Sequence, residues 1–132
     1  MSNQELIKKS NGMALKALVV DDNAMNRLVL DRLLKSIGVE TVVVEGGADA
    51  IKSVKENEFD FILMDILMPE MDGYEACTKI RDLGFLDLKI FACSAHSFTS
   101  DHKNSVENGM DEHLSKPILL DDLKHIISKH IP

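Results

Sequence analysis

Five side chains with chemical potential stand directly after short apolar runs. Asp21 and Asp22 follow "LKALVV" (15–20), Asp65 follows "FDFILM" (59–64), Ser94 follows "LKIFAC" (88–93) and Lys116 follows "EHLS" (112–115). Carboxylates packed together repel, and some would be driven to protonate unless a cation lies among them. Hard oxygen donors at a solvent-open site suit Mg²⁺, which keeps several waters and joins one or two carboxylates to a phosphate. Lys116 adds a fixed positive charge and Ser94 a hydrogen-bond donor. Together the set amounts to a charge clamp for a phosphoryl group. Asp65 is then the nucleophile and an acyl phosphate the product. The following "MPEMDG" (68–73) turns the chain away so that the Asp65 oxygen stays accessible.

These residues converge only if the runs are parallel strands. Met25, Leu28, Val29, Leu33 and Ile37 recur at helical spacing after the first run, and Gly38 stands where a helix-ending glycine belongs. "VETVVV" (39–44) reads as a second strand, and residues 47–57 as a short helix with Ala50, Ile51 and Val54 on one face. A helix over 74–83, a polar helix over 98–108 closed by Gly109, and a last helix with Leu120, Leu123, Ile126 and Ile127 inward complete the alternation. Five βα units in succession imply an α/β fold, a parallel sheet with helices on both faces. In such sheets ligands bind outside the carboxyl ends of the strands. Each signal alone has an ordinary structural explanation: Asp-Asp-Asn caps a helix, "PEMDG" makes a turn, and Ser94 or Lys116 sits in a loop. Their recurrence at successive strand ends favours the shared site.

Composition removes other classes. The 132 residues suit one domain, and 22 acidic against 15 basic residues give a net charge of −7, which argues against direct nucleic-acid binding. With no Trp and a single Tyr there is no aromatic platform for stacking bases. No apolar run is long enough to span a bilayer, and no secretory signal opens the chain. Cys77 and Cys93 show neither CxxC nor zinc spacing, so they read as buried thiols of a cytoplasmic protein.

The segments "LVVDDN" (18–23), "DILMPEMDGYEA" (65–76), "FACSAH" (91–96) and "NGMDEHLSKPI" (108–118) resemble the receiver domain of two-component response regulators. The resemblance spans residues 15–130. It implies a flavodoxin-like (βα)5 three-layer sandwich with strand order 2-1-3-4-5, as a receiver domain over 14–132 behind a flexible leader of residues 1–13. By position, Asp65 would accept phosphate from phosphohistidine, and Asp22 and Asp65 would bind Mg²⁺ directly, with Mn²⁺ as a substitute. Asp21 would act mainly through water, and the Leu67 backbone carbonyl would complete the protein ligands. Ser94 would swing toward the phosphoryl group and Lys116 would pair with it. Where many DNA-binding regulators carry Tyr or Phe three residues before the lysine, this chain has His113. In that respect it resembles receivers of hybrid kinases and phosphorelay intermediates, whether stand-alone or part of a longer sensor kinase.

The resemblance implies a phosphoacceptor rather than an enzyme, a monomer whose partner is a histidine kinase or a histidine phosphotransfer protein. Alternatives are a pseudo-receiver that only binds proteins and, further off, a Mg²⁺-dependent phosphatase with an Asp nucleophile. The phosphatase class resembles D-x-D, whereas Leu67 stands two residues past Asp65. An FMN carrier of the same fold would need a Ser/Thr/Gly-rich loop where "DDNAMN" stands. Partner docking is expected on the first helix, where Met25, Leu28 and Val29 make the apolar face wider than a core requires and Arg27 should face solvent. Leu67 and His96 should border the path of an attacking water.

Overall fold

A computed structural model describes residues 8–9, 12–95 and 109–131. The strands are β1 (Lys16–Val20), β2 (Glu40–Val44), β3 (Phe61–Asp65), β4 (Lys89–Ser94) and β5 (Glu112–Ser115). The described helices are α1 (Ala24–Ser36), α2 (Gly47–Glu56), α3 (Gly73–Asp82) and α4 (Leu120–His130). All strand pairs are parallel, in the order β2-β1-β3-β4-β5. The fold and strand order match the sequence expectation. The expected polar helix over 98–108 lies outside the described residues, as does His96.

Period-two alternation splits the core. Ala17 and Val19 of β1 join Leu30, Leu34, Ile37, Leu123 and Ile127 on one face of the sheet. Leu18 and Val20 join Ala50, Val54, Ala76 and Ile80 on the other. Burial on both faces is why β1 and β3 read as continuous apolar runs. Phe61 and Phe91, neighbours across β3 and β4, meet with ring centroids 5.5 Å apart.

Helix α1 is set by its ends. Asn23 caps it, its side chain accepting from the Asn26 amide at 3.0 Å. At the other end Gly38 adopts φ +86°. Its N–H donates to Lys35 O at 3.1 Å, and the Val39 N–H donates to Leu34 O at 3.0 Å, which is a Schellman closure. The apolar face of α1 is wider than its core contact, as its sequence implied. Leu30, Leu34 and Ile37 are buried, whereas Met25, Leu28 and Val29 are 65%, 45% and 46% exposed. The helix has more apolar residues than one stripe can bury, and contact with β1 and β2 selects the stripe.

Two strand boundaries shift toward the site. β3 starts at Phe61 rather than Phe59 because Asp60 is diverted: its carboxylate accepts the Lys16 amide at 2.8 Å. Asp65 pairs with Cys93 and Ser94 with Ser115, so they are the last residues of β3 and β4, not the first beyond them. The chain then doubles back so tightly that a Cβ at Gly73 would come 2.4 Å from the Asp65 carbonyl oxygen. The Gly73 amide donates to Ile66 O at 2.9 Å. Glycine is required there by close approach, and it brings the start of α3 against the residue that ends β3.

Candidate functional site

The strand ends bring together residues far apart in the chain. The Lys116 ammonium donates to Asp65 Oδ1 at 3.0 Å and to Asp21 Oδ2 at 3.2 Å. Asp21, Asp22 and Asp65 each offer an oxygen within 4.8 Å of the others. Asp21 and Asp65 are 1% and 4% exposed, whereas Asp22 faces solvent. Ser94 is buried at the end of β4, and its carbonyl accepts the Lys116 amide at 2.7 Å. That bond starts the turn after β5, where the Lys116–Pro117 peptide is cis.

The expected accessibility of Asp65 is corrected by this geometry. Its carboxylate is enclosed at the strand end and bound by Lys116, so the opening to solvent runs past Asp22 instead. Burial raises the Asp65 pKa to about 6, and the charges of Asp21 and Asp22 add to that against the hydrogen bond and charge of Lys116. Lys116 is held above the usual lysine range. Burial opposes its charge, but the hydrogen bond and charge of Asp65, with those of Asp21, outweigh it. Burial also pushes Cys93, beneath the site, up to about 12, which keeps its thiol protonated and inert.

The β1–α1 turn is locked from inside. The Asp21 amide donates to Val44 O at 3.2 Å, and Asp21 Oδ1 accepts the Asn23 amide at 2.9 Å. Arg27 corrects a second expectation. Its side chain is only 17% exposed, donating to the Asp21 carbonyl at 2.8 Å and lying 3.6 Å from Glu45. It folds over the turn rather than toward solvent because a carbonyl and a carboxylate both lie within its reach. A cation near the positive end of a helix dipole, at the fourth position of α1, is the sequence signal that could have revealed this.

Leu67, two residues past Asp65, is 63% exposed at the rim. Beside it, Asp22, Glu45, Asp49, Glu70 and Glu75 line an acidic cleft with Lys79 as its basic member. Glu70 reaches this rim through a left-handed backbone, φ +68°. His113 lies within β5 opposite Ala92 and is half-buried.

The donor set fits a small hard divalent cation. It consists of carboxylate oxygens only, and three negative groups against one ammonium leave two charges for a cation to neutralise. Among the described residues no helix is long and apolar enough to cross a membrane.

Known proteins are similar to this chain in sequence and fold. The sensor protein GacS of Pseudomonas syringae pv. syringae is 38% identical over 120 residues, which cover 88% of this chain and 13% of GacS. The chain thus spans about an eighth of that relative's length. The receiver domain of the sensor histidine kinase PA1611 from Pseudomonas aeruginosa PAO1 is 31% identical with a TM-score of 0.82, over 89% of this chain and 97% of that one. That structure has a magnesium ion coordinated in its active site cleft. The receiver domain of Saccharomyces cerevisiae Ssk1, solved with the histidine phosphotransfer protein Ypd1, is 25% identical with a TM-score of 0.82, over 89% of this chain and 88% of that one. The family model of the response regulator receiver domain matches residues 17–128. Sequence, topology and the acids at the strand ends agree, and the chain belongs to the response regulator receiver domain family.

Proposed function

We propose that this receiver accepts a phosphoryl group on Asp65 from the phosphohistidine of a kinase or phosphotransfer partner. The observation that carries the reading is a pair of buried carboxylates, Asp65 at the end of β3 and Asp21, sharing the Lys116 ammonium while Asp22 stands open beside them. An Asp65 oxygen attacks phosphorus as the phosphorus–nitrogen bond to the donor imidazole breaks. The bonding pair leaves with the imidazole nitrogen, and the product is an aspartyl phosphate.

Each residue has a separable part. Asp21, Asp22, Asp65 and the Leu67 carbonyl hold Mg²⁺, with Mn²⁺ as a substitute, and the ion supplies charge neutralisation for the phosphoryl oxygens when bound. Lys116, already on Asp65, orients the nucleophile and then pairs with the transferred group. The Ser94 hydroxyl donates to a phosphoryl oxygen. The enclosing β3 and β4 ends limit water around the acyl phosphate. The chain has no other catalytic role in this reading: it accepts the group and signals its presence from the cytoplasmic side.

The partner surface is the exposed apolar stripe of α1. Met25, Leu28 and Val29 adjoin the turn that carries Asp21 and Asp22, and an apolar patch with polar surroundings suits a helical phosphotransfer domain. The likeness to the Ssk1 receiver solved with Ypd1 supports that choice.

Intact-mass spectrometry after treatment with acetyl phosphate and Mg²⁺ tests the reading. Wild type gains one base-labile phosphoryl group and Asp65→Asn gains none. Equal labelling of the Asn variant would move the acceptor elsewhere. No labelling of a Mg²⁺-bound wild type would leave a module that only binds proteins.

A further inference from the structure

We propose that Arg27 is a positioning residue for Asp22, acting through the peptide that joins Asp21 to Asp22. The inference rests on the reading of Asp22 as a metal ligand. Between described residues, no hydrogen bond or ion pair holds the exposed Asp22 carboxylate, so its place is set by its backbone. Three contacts hold that backbone. Val44 O takes the Asp21 N–H, Asp21 Oδ1 takes the Asn23 N–H, and Arg27 donates to the Asp21 carbonyl at 2.8 Å. The first two fix the planes on either side. Among the described residues, only the Arg27 bond acts on the carbonyl of the Asp21–Asp22 peptide itself, and rotating that plane swings the Cα from which Asp22 projects.

The guanidinium is well placed to hold a plane. It lies on α1, anchored through the Asn23 cap, and the Arg27 amide donates to Asn23 O at 3.1 Å. Its second arm faces Glu45 at 3.6 Å in the loop after β2. Glu45 is 76% exposed on its side chain, so this arm is screened by water and adds little to the hold on the carbonyl. The carbonyl bond is sheltered, and groups that orient metal ligands from behind typically change affinity by about 10–100-fold when removed.

Arg27→Met keeps the aliphatic stem and removes the donors; Arg27→Lys restores one donor; Glu45→Gln removes the ion pair and spares the carbonyl bond. Calorimetric Mg²⁺ titration of folded protein should show about tenfold weaker binding for Arg27→Met, partial recovery for Arg27→Lys and near wild-type binding for Glu45→Gln. In the metal-free state, the amide resonances of Asp22 and Asn23 should move in Arg27→Met and return toward wild type in Arg27→Lys. Acetyl phosphate labelling of Arg27→Met should recover at saturating Mg²⁺. Mg²⁺ affinity of Arg27→Met within twofold of wild type would overturn the proposal, whatever its melting temperature does. So would a defect confined to transfer from a phosphohistidine donor, which would make Arg27 a docking residue. A wild type that binds no Mg²⁺ overturns the functional reading itself and this inference with it.

Discussion

Two ionic clusters stand at opposite ends of β4 and β5, and they are built on opposite principles. At the N-terminal ends, Arg81 of α3 donates to the Phe85 and Leu88 carbonyls at 2.6 Å and to Gly109 O at 2.8 and 3.0 Å. It also donates to Asp111 at 3.0 Å, and Asp111 in turn accepts the Ile90 amide at 2.9 Å. Every arm of the guanidinium has a partner. At the C-terminal ends, two of three clustered carboxylates, Asp65 and Asp21, share the Lys116 ammonium, and burial raises the pKa of Asp65. The first cluster ties a loop and a strand entry together. The second stores an excess of negative charge that a divalent cation can relieve. Satisfied polar networks serve stability, and an unsatisfied one points to what is meant to bind.

The sharpest way to break this contrast is to remove Arg81. Arg81→Met leaves the loop carbonyls and Asp111 without their shared donor and should cost about 3 kcal/mol, read by urea denaturation. Acetyl phosphate labelling of the folded fraction should change little. A cost below about 0.5 kcal/mol would mean that water replaces the guanidinium and that the two clusters differ less than their geometry implies.

At the site the opposite sign is expected. Asp65 titrates near 6 in the folded protein against 3.8 ordinarily. A carboxyl with a raised folded pKa favours the folded state while protonated, so its contribution is full below 3.8 and is lost as pH rises toward 6. Asp65→Asn should therefore stabilise the metal-free protein above that range, on the order of 2 kcal/mol. The gain should vanish near pH 3.8 and shrink when Mg²⁺ is added to wild type. Thermal melts across pH measure it. Destabilisation by Asp65→Asn at neutral pH would show that the Lys116 pair outweighs burial.

The smallest effect concerns the open rim. Leu67 is apolar and cannot orient a water, so Leu67→Asn should shorten the aspartyl phosphate lifetime about threefold, under about 1 kcal/mol in barrier. Loss of radiolabel from purified phosphoprotein in Mg²⁺ buffer reads this directly. An unchanged lifetime would place control of water access elsewhere on the rim.

The architecture was legible because local patterns carry it. Runs such as 61–65 and 89–94 alternate with helical spacing, and a strand buried on both faces ends visibly where a charge begins. The acids and the lysine could be placed on one sheet edge by topology alone. Their pairing could not, since Lys116 meets Asp65 and Asp21 across 51 and 95 residues. Arg81 escaped notice for the same reason: its partners Gly109 and Asp111 are 28 and 30 residues away.

What the sequence determined by itself was the order of elements, the face alternation within each strand, and which residue types stand at the strand ends. These follow from hydrophobic period and turn chemistry, which neighbours along the chain settle. The tertiary structure alone decided which stripe of α1 is buried, that Asp65 is enclosed while Asp22 is open, and that Arg27 turns back onto the Asp21 carbonyl. Desolvation and charge pairing depend on what packs nearby in space, and those neighbours come from distant parts of the chain.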